Sequence, residues 1–285
     1  MLRPTKPNPS CFERPTSVKP RNILSIICVL FIVTASVPAQ EKLTADQIVE
    51  KHLAAVGGRA AMAKFKTRVA VGTIKRENEV AGQMAVMSEY PNRLSIFYGF
   101  RDFDLQMIYD GNKAFFRPAL RRDLAPLADK YQEMLASGLM LNSISLYNLI
   151  ANSPAGELKF ESKGTKKVAG KPAYVVQIKT SGGTQMKLYF DSENFMWVRT
   201  DYGSTSVARQ MGTFTNDVVN QGGTETTFDF YVETSDFRDV NGVKLPFRFV
   251  QVLSAPFISQ KAIGTVMGEI KEYKHNEGID PKMFQ

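Results

Sequence analysis

Alternating apolar and polar residues, interrupted by turn motifs, occupy much of this 285-residue chain. From Thr67 to Arg117 the alternation runs through segments separated by turn pairs such as Pro91-Asn92 and Asp110-Gly111. This pattern predicts about five antiparallel strands, because side chains point alternately to the two faces of a strand and short turns join antiparallel neighbours. The C-terminal part repeats the pattern in seven segments, at 159–163, 174–180, 185–190, 197–202, 228–237, 247–253 and 263–273.

Helical spacing appears at the start and in the middle of the chain. Thr44 to Gln47 has the form of a capping box, and the apolar residues that follow share one helix face up to Gly57-Gly58. A second helical region runs from Asp123 to Ile150. Because these helices do not alternate with the strands, the sequence predicts an α+β protein. Its large antiparallel sheet should curl into an incomplete β-barrel, with both helical regions plugging the concave face.

The first 39 residues have the order of a cleavable signal peptide. Five basic side chains and one acidic side chain are followed by an apolar run from Ile23 to Val33 and by Val37-Pro38-Ala39. We expect cleavage after Ala39, export to the periplasm and a single domain spanning residues 40–285. An uncleaved membrane anchor is the alternative, although residues 23–39 are fewer than the roughly 20 needed to span a bilayer.

The composition left after this leader excludes several classes of function. The net charge falls from +8 to +4, which argues against nucleic-acid binding, and both cysteines, Cys11 and Cys28, lie in the leader. The two histidines, His52 and His275, lie far apart in the sequence, and His52 falls at the edge of a helical apolar face, where a packed role is expected. We therefore expect no metal, no other cofactor and no enzymatic activity.

A curled sheet with few helices leaves a concave face for a hydrophobic ligand. Phe, Tyr and Met residues are numerous after the leader, and Met adapts its shape readily to variable chains. A core filled by the same side chains is the alternative. The candidate ligand-binding residues are Tyr90, Leu94, Ile96, Tyr98, Leu105, Met107, Phe115, Leu146 and Ile150.

Five motifs carry a family resemblance: residues 46–58, Pro91-Asn92 with Leu94, Asp110-Gly111 with Phe115-Phe116, residues 237–247, and residues 280–284. Together they resemble the bacterial periplasmic lipoprotein carrier and sorting family, the LolA-like fold. The resemblance implies an incomplete antiparallel barrel that binds lipoproteins or lipid acyl chains as a non-catalytic monomer, with inner- or outer-membrane transfer partners. One position departs from the family: Tyr90 stands where the best-known carriers have an Arg that helps to hold the lid.

The sequence also allows two other functions. The departure at Tyr90 allows an envelope sensor or protein-interaction module on the same fold, since a sensor need not release cargo. Asp102 and Asp104 flank Phe103, so on a strand their carboxylates would share a face and could divide acid and base roles in a hydrolase.

Overall fold

The computed structural model describes residues 42–76, 81–101, 104–117, 125–126, 143–154, 156–179, 185–206, 227–254 and 262–285. The predicted leader and Asp102 lie outside these residues. Within the described ranges there are three α-helices: α1 (Ala45–Ala55), α2 (Arg59–Met62) and α3 (Ser143–Asn152), with a 3₁₀ turn at Pro281–Phe284. No helix in these ranges is both long enough and apolar enough to cross a membrane.

Thirteen strands lie in the described ranges. They are β1 (Thr67–Arg76), β2 (Gly82–Glu89), β3 (Arg93–Gly99), β4 (Asp104–Tyr109), β5 (Ala114–Arg117), β6 (Ala125–Pro126), β7 (Lys159–Val168), β8 (Lys171–Lys179), β9 (Gln185–Asp191), β10 (Trp197–Ser206), β11 (Thr227–Val240), β12 (Val243–Ser254) and β13 (Ala262–His275).

These strands form one sheet, in the order β6-β5-β4-β3-β2-β1-β13-β12-β11-β10-β9-β8-β7. Every pair of neighbours is antiparallel. The chain builds one meander from β1 to β6 and a second from β7 to β13, and the pairing of β1 with β13 joins the two. Among the described strands β6 and β7 remain edges, so the sheet is open there, and the predicted fold class is confirmed.

One prediction about the middle of the chain is wrong. Ala125–Pro126 was expected in a helix, yet it forms β6 and pairs with Phe115 and Phe116. Proline lacks a backbone N–H, so it fits an edge strand, where one row of backbone groups has no strand partner. Helix α3 begins at Ser143, and residues 127–142 lie outside the described ranges.

Helix α1 begins as the sequence predicts. The backbone N–H of Gln47 donates to the Thr44 hydroxyl over 3.2 Å, and the side chain of Gln47 accepts from the Thr44 N–H over 2.8 Å. This capping box satisfies two N–H groups that would otherwise lack partners at the helix start. The buried face of α1, which includes Ile48 and Leu53, packs against β7 and β8.

A buried hydrogen bond demonstrates the curl of the sheet. The Gln251 side chain on β12 donates to the Tyr98 hydroxyl on β3 over 3.0 Å. Three strands, β2, β1 and β13, lie between them in the sheet order. In a flat sheet, four steps of about 4.8 Å would hold β3 and β12 about 19 Å apart, farther than these two side chains can bridge. The face that carries Tyr98 and Gln251 is therefore concave, and we call it the inner face.

Candidate functional site

Five of the predicted ligand-binding residues lie together on the inner face. Across β3 and β4 the register pairs Ile96 with Met107 and Tyr98 with Leu105, while Leu94 stands opposite Tyr109. Directly paired residues of antiparallel strands share a face, so these six side chains form one surface. All six are buried. The structure thus places the five predicted residues of β3 and β4 in one apolar cluster. Their binding of a ligand remains a prediction.

Helix α3 contributes to the same apolar cluster as this surface. Its sequence, SISLYNLIAN, contains no charged residue. Leu146 is fully buried in the cluster that also contains Ile96 and Met107, whereas Ile150 is half-buried against that cluster. A helix with this many apolar side chains is stable in water when it packs on apolar partners. Both predicted helix residues therefore belong to the apolar cluster of the inner face.

Phe115 does not lie on the inner face. The register of β4 and β5 pairs Phe115 with Ile108 and puts Phe116 opposite Met107. The register therefore places the candidate Phe115 on the face opposite to Met107, and its role in binding a ligand remains a prediction. Two consecutive aromatic residues leave the inward position ambiguous in the sequence, and a shift of one residue moves a strand side chain to the other face. The inner-face residue beyond Tyr109 is Ala114.

Tyr90 lies in the turn between β2 and β3 and is 41% exposed. Its hydroxyl donates to the side-chain oxygen of Asn152, the last residue of α3, over 2.8 Å. The ammonium of Lys66 lies 4.4 Å from the centre of its ring. Tyr90 thus connects a turn at the end of the sheet to helix α3, and its binding of a ligand remains a prediction.

The second meander completes the concave face with apolar residues from β8 and β9. They are Val176, Ile178, Met186, Leu188 and Phe190, and all are buried in the same cluster as α1 and the β3–β4 surface.

His52 joins α1 to this part of the core. Its Nδ1 lies 2.8 Å from the carbonyl oxygen of Phe195, and its ring centre lies 4.9 Å from that of Phe190. Burial lowers the pKa of His52 to about 4, although the hydrogen bond to Phe195 acts in the opposite direction. The imidazole is therefore neutral at pH 7, and its contacts are those of a packed histidine.

The inner face also carries a few polar side chains. Burial raises the pKa of the Tyr98 hydroxyl despite its hydrogen bond with Gln251, and it raises the pKa of Tyr202 as well. Both hydroxyls therefore stay neutral in an apolar surround, and that of Tyr98 accepts a hydrogen bond from the Gln251 side chain.

A buried arginine lies on the same face and was not predicted as a site residue. Arg68 is 3% exposed, and the register places it between Ser88 of β2 and His275 of β13. Burial lowers its pKa to about 10, so the guanidinium remains charged at pH 7. The local sequence does not indicate that Arg68 is buried. Val69 and Val71 lie on the opposite face of β1, so the alternation suggests that the valine face is the buried one.

Few features of the described residues suggest catalysis. Asp104 is exposed at the start of β4, and its proposed carboxylate partner Asp102 lies outside the described ranges. No group of three or more His, Cys, Asp or Glu side chains that could hold a metal ion occurs among the residues that the structure describes.

No family model matches the sequence, and no curated protein matches it. Among solved structures, the chain is similar to a LolA superfamily protein from Nitrosomonas europaea at 12% identity, covering 86% of this chain and 98% of that one with a TM-score of 0.46. It is also similar to a putative outer membrane lipoprotein-sorting protein domain from Vibrio parahaemolyticus, at 10% identity, 83% and 94% coverage and a TM-score of 0.47. A third match is lipoprotein LppX from Mycobacterium tuberculosis, at 12% identity, 82% and 98% coverage and a TM-score of 0.25.

The matched structures thus include the superfamily that the sequence motifs resemble. Since each of these TM-scores is below 0.5, the architecture of this chain rests on its own strand order and curl.

Proposed function

We propose that this protein is an exported, non-catalytic carrier or receptor that binds lipoproteins or other acyl-bearing ligands on the inner face of its sheet. The observation that carries the proposal is the concave apolar surface of β3 and β4, which shares one buried apolar cluster with a helix that has no charged residue. Acyl chains suit such a surface because burial of each CH₂ group contributes about 0.8 kcal/mol and requires no directional contact.

Helix α3 is the element that a ligand would displace. It buries Ile144 and Leu146 in the cluster that contains the inner-face residues, while Tyr147, Leu149 and Ile150 are only half-buried. An acyl chain that replaced α3 on the inner face would therefore exchange one apolar contact for another. The hydrogen bond from Tyr90 to Asn152 at the far end of α3 would hold the closed position. A single neutral hydrogen bond contributes only about 0.5–1.5 kcal/mol, which suits a helix that a ligand can displace.

Adjacent residues on opposite faces of β4 offer a matched test. Met107→Gln places a polar amide of similar size on the inner face, whereas Gln106→Met makes the reverse exchange on the outer face, where Gln106 pairs with Phe97. We expect Met107→Gln to weaken the binding of an acyl-chain fluorophore about tenfold, equivalent to about 1.4 kcal/mol. Gln106→Met should bind like the wild type. Circular dichroism would verify that both variants fold, and equal affinities for folded variants would contradict the proposal.

A sensor or interaction module on the same fold is the second candidate. The observation in its favour is Tyr90, which is exposed at a turn and contacts α3, so that movement of the helix could reach a partner protein at the surface. A reconstituted transfer of lipoprotein between membranes distinguishes the two functions. A carrier moves lipoprotein in this assay. A sensor instead retains one envelope protein in pull-downs, and the Tyr90→Ala variant loses that protein.

A further inference from the structure

Arg68 is a buried cation that has no counter-ion among the described residues. Its Nε and Nη1 atoms have no hydrogen-bond partner among the residues that the structure describes, and no carboxylate in those ranges forms an ion pair with it. By contrast, Arg199 on the outer face contacts Glu233 over 3.1 Å and Asp201 over 3.8 Å. A buried guanidinium is stable when acceptors surround it, because burial removes the water that would otherwise solvate its charge.

A ring nitrogen of His275 lies beside Arg68. His275 is the direct cross-strand neighbour of Arg68, and its Nε2 atom is buried without a partner in the described part of the chain. Its Nδ1 lies 3.3 Å from the side-chain oxygen of Asn241. When Nδ1 donates to this oxygen, Nε2 is an acceptor. When the Asn241 side chain turns its NH₂ group toward Nδ1, Nε2 carries the proton and can donate to an anion.

The register shows where these groups lie relative to the apolar surface. One cross-strand row runs His275, Arg68, Ser88, Leu94 and Tyr109, from β13 to β4. The next row contains Ala70, Val86, Ile96 and Met107, which are apolar and buried. Arg68, the charged residue of the first row, thus lies next to the apolar surface that is proposed to hold acyl chains.

We propose that Arg68, with His275 beside it, is a subsite for the anionic group of an acyl-bearing ligand, a phosphate or a carboxylate. This inference rests on the proposed function and specifies the class of ligand. The guanidinium presents a fixed fork of N–H donors that matches both anions, and the adjacent apolar row would accept the attached chain. The subsite would therefore distinguish an acidic lipid from a neutral lipid with the same chain.

The test uses the mature protein and three ligands with the same chain: hexadecyl phosphate, palmitate and hexadecanol. Each displaces an uncharged fluorescent probe, and inorganic phosphate is titrated separately to distinguish a free anion from a lipid headgroup. We expect the wild type to bind the two acidic ligands at least tenfold more tightly than hexadecanol. Arg68→Gln should abolish this preference and leave hexadecanol binding within about twofold. Arg248→Gln, which alters an exposed arginine, is the control and should keep the preference.

The possible results distinguish a failure of the subsite from a failure of the proposed function. Equal binding of all three ligands by the wild type, or an unchanged preference in Arg68→Gln, would overturn the subsite. If the wild type binds no acyl ligand yet binds inorganic phosphate through Arg68, the subsite stands as an anion site and the proposed function fails. Binding of neither overturns both.

A second variant, Arg68→Lys, tests the subsite if Arg68→Gln does not fold. Arg68→Lys keeps the charge but loses the two-pronged donor geometry, so it should show an intermediate preference for the acidic ligands. A preference equal to that of the wild type would contradict a role for the guanidinium fork.

Discussion

The hydrogen bond between Tyr98 and Gln251 tests whether the sheet curls in solution. Tyr98→Phe removes the hydroxyl and leaves the buried Gln251 amide without its acceptor. Such an unsatisfied buried group costs about 1–3 kcal/mol. Gln251→Leu leaves the Tyr98 hydroxyl unpaired, with a cost in the same range. In the double variant neither unpaired group remains, so we expect its cost to be smaller than the sum of the single costs by about 1–2 kcal/mol.

Urea unfolding at 25 °C, with the free energy of unfolding extrapolated to water, measures these costs. With a slope of about 2–3 kcal/mol per molar urea, each single variant should lower the midpoint by roughly 0.3–1.5 M. The control pairs Tyr98→Phe with Gln177→Leu on the outer face of β8, where Gln177 contacts Gln185, and these costs should add. If Tyr98→Phe and Gln251→Leu are also additive, β3 and β12 do not meet and the reasoning for a concave face is refuted.

Two further predictions concern stability. As the pH drops below about 6.5, the unfolded chain protonates His52, whereas the folded chain does so only near pH 4. In this interval the free energy of unfolding should therefore decrease, for this group, by about 1.4 kcal/mol for each unit by which the pH is lowered. His52→Gln should reduce this slope in pH-dependent urea unfolding, while His275, whose pKa burial also lowers to about 4, keeps part of it; an unchanged slope would contradict the burial of His52. Separately, a Cβ on Gly268 would lie 2.1 Å from the buried ring of Phe249, so Gly268→Ala should destabilise the fold by about 1–3 kcal/mol. Gly278→Ala, which meets nothing within 4 Å, should change stability by less than about 0.5 kcal/mol, and thermal unfolding of the two variants checks the difference.

Local periodicity and turn chemistry predict most of the elements. The seven C-terminal segments correspond to β7–β13, and the capping box at Thr44 begins α1 as expected. The turn at Asp110 also forms, since the Asp110 carboxylate accepts from the backbone N–H groups of Asn112 and Lys113. These features depend on residues close in sequence, so a single sequence contains the information.

The remaining features depend on contacts distant in sequence. The pairing of Arg68 with His275 joins residues near opposite ends of the domain, and no local pattern specifies it. The face of Phe115 depends on the hairpin register, which two adjacent aromatic residues do not determine. For these reasons the apolar half of the candidate site could be predicted from the sequence, whereas its charged end could not.

The central proposal is that the inner face binds acyl-bearing ligands. Native mass spectrometry of the protein purified from the cell envelope without detergent tests it most directly. We expect an added mass that corresponds to lipid or lipopeptide, and Met107→Gln should reduce this species relative to Gln106→Met. A spectrum of the wild type that shows only the polypeptide mass, before and after incubation with acyl ligands, would contradict it.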